Sequence, residues 1–181
     1  MRAISTLGYA LLGLLQQRPS SGYDLRKFFG STPMRSFSDS PGAIYPALRR
    51  LEAGGFIRSK VERAGLRHRQ MFRPTPAGIA AFRTWQTQEL SQEDIVCRAD
   101  ELMLRFAFMD QTAGHDETLR FLKELASGLA AYTSTLRIYR SQAEGMTTSG
   151  RLALESGIQR YETLLRWARR AIAVYQRGRK T

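Results

Sequence analysis

Between Ile57 and Arg73 the chain places six Lys/Arg residues (Arg58, Lys60, Arg63, Arg67, Arg69 and Arg73) and His68, opposed by Glu62 alone. Cations at this density along a short ribbon are suited to phosphate oxygens, which supply the sequence-independent part of nucleic-acid affinity. A second set, Gly42, Tyr45, Pro46 and Arg49, falls on one arc of a helical stretch and combines small, aromatic and cationic side chains. Such a face can approach base edges closely and donate to them.

Catalytic chemistry finds no such support. His68 and His115 lie far apart with no ligand-spaced partner, so no metal site is expected. The neighbouring carboxylates Asp100-Glu101 and Asp116-Glu117 would point about 100° apart on a helix, which separates them rather than pairing them for acid and base work. No Gly-rich phosphate loop with lysine, no nucleophile elbow and no Cys/His pair is present. The chain therefore reads as a binding protein that is not an enzyme and needs no cofactor.

The 181 residues carry a formal net charge of +12, which favours a polyanionic partner. Residues 1–90 hold 14 Lys+Arg against 5 Asp+Glu, and residues 91–181 hold 14 against 11, so the polyanion is expected at the N-terminal half. The single cysteine, Cys97, excludes an internal disulfide and reads as a buried spectator thiol in a cytoplasmic protein. The apolar run Leu7 to Leu15 is far shorter than the roughly 20 residues that span a bilayer, and reads as a buried first helix.

These side chains need elements to hold them. Ile4, Leu7, Leu11 and Leu14 predict helix one, which ends before Pro19. Ser20 or Ser21 caps a second helix carrying Tyr23, Leu25 and Phe28, and the Ser/Pro-rich STPMRSFSDS leads to a third. In that third helix Ile44, Leu48 and Leu51 form the inward stripe. Pro41 suits its first turn, whereas Pro46 removes an interior hydrogen bond unless the helix begins near Gly42. Gly54-Gly55 ends it; Ile57, Ser59 and Val61 then alternate as a strand, Ala64-Gly65-Leu66 turns, and Arg69 to Arg73 returns. Thr75-Pro76 starts a fourth helix through Phe82 and Trp85.

The second half reads as three helices: one from Val96 to Met109, one from His115 to Ala143 whose stripe is weakened by the polar Thr133, and one from Gly150 to Arg177. The last is apolar over a wide arc (Leu154, Ile158, Tyr161, Leu165, Ala168, Ile172 and Tyr175, flanked by Leu164 and Trp167), which predicts cover by a second copy of the chain. The expected fold is mainly α with a small β-hairpin wing: a winged helix-turn-helix DNA-binding domain at 1–90 and an all-helical dimerisation and effector domain at 91–181.

The stretch YPALRRLEAGGFI, preceded by LGYALLGLL and SGYDL and followed by RQMFRPTPAG, resembles the PadR-like transcriptional regulators over roughly residues 5 to 85. It departs from them at Pro74, where an aliphatic residue is commoner, and at Gln70-Met71, where aromatics are. The resemblance implies a dimeric, usually repressing, DNA-binding protein; with composition and the single cysteine pointing to the cytoplasm, the expectation is a cytoplasmic homodimer that binds an inverted-repeat operator in double-stranded DNA. It implies DNA contacts by Gly42, Tyr45, Pro46 and Arg49 on the recognition helix, by Ser38 and Ser40 at its start, and by Arg67 and Arg69 on the wing. It also implies that a small aromatic or apolar effector could act near Phe106, Tyr132, Tyr161 and Trp167, although ordinary packing also accounts for those aromatics. The rival reading is a winged-helix protein–protein interaction module whose basic surface docks an acidic partner. No membrane association is expected.

Overall fold

The computed structural model describes residues 4–32, 34, 41–64 and 67–178, with the backbone alone for Pro41, Arg63, Ala64 and Arg67. The expected turn residues Gly65-Leu66 and most of the STPMRSFSDS stretch, including Ser38 and Ser40, lie outside the described residues. The chain divides into two compact units, Met1–Gln86 and Thr87–Thr181.

In the first unit, α1 (Thr6–Gln17) begins where the Ser5 side chain accepts from the Gly8 N–H, and it buries Leu11, Leu12, Leu14 and Leu15. Each such leucine contributes about 1.5–3 kcal/mol relative to exposure. Ser20–Ser21 form a two-residue strand, β1, and α2 (Gly22–Ser31) follows at once. The α2 start is a capping box: Asp24 N–H donates to Ser21 Oγ, and Ser21 N–H donates to Asp24 Oδ2. Its inward residues are Leu25 and Phe29, while Tyr23 faces out.

Helix α3 (Pro41–Ala53) buries Ile44, Ala47, Leu48 and Leu51. It begins at Pro41, so Pro46 sits inside the helix, with no N–H to offer the carbonyl one turn back. Strands β2 (Ile57–Ala64) and β3 (Arg67–Pro74) pair antiparallel from Ile57↔Pro74 to Ala64↔Arg67. The short β1 pairs with β3 at Ser20↔Phe72 and Ser21↔Met71, giving a three-stranded sheet of order β1-β3-β2. The expected hairpin thus has a third strand at its base. Helix α4 (Pro76–Thr87) closes the unit with Phe82 and Trp85, the latter stacked on Tyr9 at 4.4 Å between ring centres.

The second unit departs from expectation at its start. The single helix expected from Val96 to Met109 is three short ones, α5 (Gln92–Cys97), α6 (Ala99–Ala107) and α7 (Met109–Thr112). A Ser91/Asp94 capping box starts α5, and Arg98, at φ −126° and ψ 32°, breaks the helix between α5 and α6. Apolar spacing runs through these breaks because all three segments bury residues against the same long helix, α8 (His115–Gln142), through Ile95, Leu102 and Met109. Cys97, expected to be buried, is exposed, because it is the last residue of α5 and lies beyond Ile95 on the outward side.

Helix α9 (Thr148–Gly178) returns along α8, joined to it by the ion pair of Arg137 with Glu162 midway along α9 and by His115 Nε2 against the Tyr175 carbonyl at 2.9 Å at the end away from the loop. Thr133, expected to weaken the α8 stripe, is buried with its hydroxyl donating to the Leu129 carbonyl at 2.7 Å, so its polarity is met inside its own helix.

Candidate nucleic-acid interface

The α3 stripe that turns inward leaves Gly42, Tyr45 and Arg49 exposed on the opposite arc, spaced three and four residues apart, with Pro46 half-buried beside them. Tyr45 is 43% exposed, yet one edge of its ring is held. A Cβ on Gly22 would stand 2.6 Å from Tyr45 Cε1, so glycine at the start of α2 is what lets the ring lie there. Tyr45 therefore does two things: it docks α3 on α2 and presents its outer edge to solvent. Sequence reasoning treated SGYDL as a cap and missed this notch, because only tertiary structure brings residues 22 and 45 together.

The last turn of α3 is tied to the wing. Glu52 accepts from the Ser59 N–H at 3.1 Å and the Ser59 hydroxyl at 2.6 Å, and Gln70 Nε2 donates to Ser59 Oγ at 2.8 Å. Hydrogen bonds to a carboxylate contribute more than neutral ones, about 1.5–3 kcal/mol. On the other strand of the hairpin's base, just past Pro74, Thr75 Oγ1 donates to the Gly55 carbonyl at 2.6 Å and accepts from the Gly78 N–H at 3.1 Å, while the Thr75 N–H donates to the Phe56 carbonyl at 2.9 Å. The base of the wing is thus anchored through both of its strands.

Strand pairing sorts the wing's charges. Partners across a strand pair share a face and alternate along each strand, so Arg58, Lys60, Glu62, Arg69 and Arg73 fall on one face. Glu62 on that face pairs with Arg73 at 3.1 Å. Arg69 lies close enough to Asp24 to help hold that carboxyl below its ordinary range, an effect due first to the hydrogen bond from Ser21. Arg58, Lys60, His68 and Arg69 are exposed. Val61, on the opposite face, is 62% exposed, since the ribbon runs beyond the core that buries Ile57 and Phe72. The Arg67 backbone pairs with Ala64 at the far end of the ribbon; its side chain, like Ser38 and Ser40, lies outside the described residues. Tyr23 on α2, with the Arg26 guanidinium 5.6 Å from its ring centre, is a further exposed aromatic–cation pair that the sequence reading did not assign.

The four aromatics singled out in the second unit, Phe106, Tyr132, Tyr161 and Trp167, fall into two groups. Phe106 meets Trp167 edge-on at 5.1 Å and lies 6.3 Å from Tyr175. Tyr132 meets Tyr161 edge-on at 4.9 Å, and the Tyr161 hydroxyl donates to the Val96 carbonyl at 2.8 Å. Burial raises the Tyr161 phenol above its ordinary value, with the neighbouring Tyr132 adding to the effect. The Tyr175 hydroxyl donates to Asp110, and burial followed by that bond pushes its pKa up to about 12. Among the described residues, no group of His, Cys, Asp and Glu could hold a metal ion, and no helix is long and apolar enough to cross a membrane.

Three helices, the third exposing a small, aromatic and cationic face, followed by a basic antiparallel ribbon and a closing helix, make the first unit a winged helix-turn-helix. Residues 11–84 match the family described as "Transcriptional regulator PadR-like family", and residues 100–176 match "Virulence activator alpha C-term". Residues 11–84, the winged unit, thus carry the region described by the PadR-like family of transcriptional regulators. The chain is similar to the "Negative transcriptional regulator PadR" of Bacillus subtilis, with 25% identity over 177 residues, spanning 93% of this chain and 96% of that protein. Over 43 residues it is 50% identical to "Transcriptional regulator Rv3488" of Mycobacterium tuberculosis, covering 24% of this chain and 40% of that one. Among solved structures, it resembles Bacillus subtilis PadR in complex with operator DNA at 24% identity, with 96% of this chain and 99% of that chain covered and a TM-score of 0.47.

Proposed function

We propose that this regulator is a homodimeric repressor in the cytoplasm that binds an inverted-repeat operator in double-stranded DNA. The observation that carries the reading is the exposed arc of Gly42, Tyr45 and Arg49 on a helix tied by Glu52 to a wing whose shared face bears Arg58, Lys60, Arg69 and Arg73. In this reading Tyr45 and Arg49 address base edges in the major groove, with Gly42 and Pro46 permitting close approach. Arg67 and Arg69 serve phosphates or the minor groove, and Ser38 and Ser40 serve phosphates at the helix start.

Dimerisation draws support from apolar residues left exposed on the long helices, Ile138 and Tyr139 on α8 and Leu152 and Val174 on α9. Repression is the activity named for the Bacillus subtilis relative. A planar apolar effector would act at the Phe106–Trp167 or Tyr132–Tyr161 pair, where a flat ring could replace an edge-on contact.

The test is selection of bound duplexes from a random library at about 0.15 M salt, where non-specific attraction is partly screened. A recovered palindrome is the expected result. A folded protein that enriches no sequence would overturn operator recognition and favour docking to an acidic protein through the same surface.

A further inference from the structure

Asp24 is the one carboxylate of α2, and it is turned back to Ser21, whose N–H and hydroxyl donate to it at 3.3 Å and 2.6 Å. The cations of the helix, Arg26 and Lys27, are exposed, and among the described residues neither forms an ion pair. Arg26 instead stands over the ring of Tyr23, 5.6 Å from its centre, and Tyr23 is itself 55% exposed.

A carboxylate and a ring hold a guanidinium with different consequences. The carboxylate takes N–H donors from the fork and cancels the charge. The face of a tyrosine attracts the cation, uses none of its five N–H donors and leaves the charge standing for an oxygen-rich anion. Arg26 is thus oriented without being neutralised, whereas Arg73 on the wing is paired with Glu62.

The place of the pair on the winged unit points to the anion. Residues four apart on a helix share a face, so Arg26 stands one turn, about 6 Å, along α2 from Gly22. Gly22 is where the Tyr45 ring rests. The major groove is about 12 Å wide, so a cation about half that distance from a side chain at its middle would reach the phosphates of its wall. We propose that Tyr23 and Arg26 form a phosphate site for duplex DNA beside the groove that Tyr45 and Arg49 enter: Arg26 contacts phosphate oxygens, and Tyr23 is a positioning residue that holds the guanidinium. This rests on the operator reading above and deepens it, since a phosphate contact sets how Tyr45 and Arg49 sit over the bases without reading any base itself.

The experiment measures binding of the full chain to a random-sequence duplex between about 0.1 and 0.4 M salt and takes the slope of log affinity against log salt. Arg26→Gln should flatten that slope by about 0.9, the share of one phosphate contact, and weaken binding about five- to tenfold at about 0.1 M salt. The selected operator should lose affinity by the same factor. Tyr23→Leu should lose about threefold with its slope kept, and Tyr23→Phe, which retains the ring, should bind as wild type. Lys123→Gln removes the same charge from α8 in the other unit and should leave the slope within about 0.3 of wild type. Equal flattening by Lys123→Gln and Arg26→Gln would reduce the effect to net charge and overturn the site. An unchanged slope in Arg26→Gln would also overturn it, and weaker binding of that variant to poly-glutamate would then assign the pair to an acidic protein. Tyr23→Phe as weak as Tyr23→Leu would overturn positioning by the ring. Both side chains lie on the surface, and should circular dichroism show Arg26→Gln unfolded, Arg26→Ala, the better helix former, decides. A wild type that enriches no operator refutes base reading alone, because the slopes on random duplex still decide this site.

Discussion

Gly78 sits in the first turn of α4, where alanine would ordinarily be the better helix former by about 1 kcal/mol. Here a Cβ would stand 2.0 Å from the Phe56 carbonyl oxygen, 2.9 Å from its carbon and 3.2 Å from Leu12 Cδ2. The nearest obstacle is backbone, which cannot rotate aside as a side chain can. To reach a normal contact the Gly55-Phe56 segment or α4 must shift by more than 1 Å, which strains the hydrogen bonds of Thr75 to Phe56 and Gly55. Overpacking costs about 1–3 kcal/mol and each of the two bonds about 0.5–1.5 kcal/mol. Setting these against the propensity gain, Gly78→Ala should destabilise the winged unit by about 3 kcal/mol.

The assay is urea unfolding followed by fluorescence in a Trp167→Phe background, where Trp85 becomes the only tryptophan and reports on its own unit. With a slope of about 1–1.5 kcal/mol per molar, the midpoint should fall by about 2 M or more. Gly30→Ala is the control: no heavy atom lies within 4 Å of its Cβ position, so it should be neutral or stabilising by up to about 1 kcal/mol. A Gly78→Ala variant as stable as the parent would refute the claim that this junction has no room for a side chain.

Other outcomes follow from the same geometry. Arg49→Ala should cost about 1–3 kcal/mol on a selected operator and much less on random duplex, measured by titration at fixed salt; equal losses on both would exclude base reading by this residue. Gly22→Ala should push the Tyr45 ring off α2, costing about 1–2 kcal/mol of stability in urea and lowering operator affinity, whereas an unchanged affinity would show that the ring's position does not matter to DNA. Tyr175 has its phenol pKa raised to about 12 in the folded chain, so the stability it adds is fully present below about pH 10 and is lost as pH rises towards 12. Tyr175→Phe should remove that part of the alkaline decline in an unfolding series followed by Trp167, and an unaltered decline would assign it to other groups.

Much of the frame could be read from the chain because its signals are local. Ser21 with Asp24, Gly54-Gly55, and Thr75 with Pro76 mark ends that depend on residues a few positions away, and Asp116 and Glu117 stand in the first turn of α8 as expected. The strand at Ser20–Ser21 could not be read, since two residues show no periodicity and become a strand only through Phe72 and Met71. The breaks after Cys97 and Ala107 were hidden because Ile95, Leu102 and Met109 all face α8, so apolar spacing persisted where the helix did not, although the Ser91/Asp94 box was a legible start signal. In the candidate interface, the arc of Gly42, Tyr45 and Arg49 followed from helical spacing. The notch at Gly22 and the Glu52–Ser59 tie did not, because both are made by residues that meet only after folding.

Ser21 belongs to two structures at once. Its backbone pairs in the sheet with Met71, and its hydroxyl and N–H close the capping box with Asp24. Neither the base of β3 nor the first turn of α2 can open without disturbing the other, so their amides should exchange with solvent as one cooperative unit rather than as a hairpin and a helix. A ribbon joined in this way is a lever rather than a tether. Force applied to the wing, as phosphate binding in the proposed mode would apply it, would be delivered through Ser21 to the helix whose Gly22 supports Tyr45.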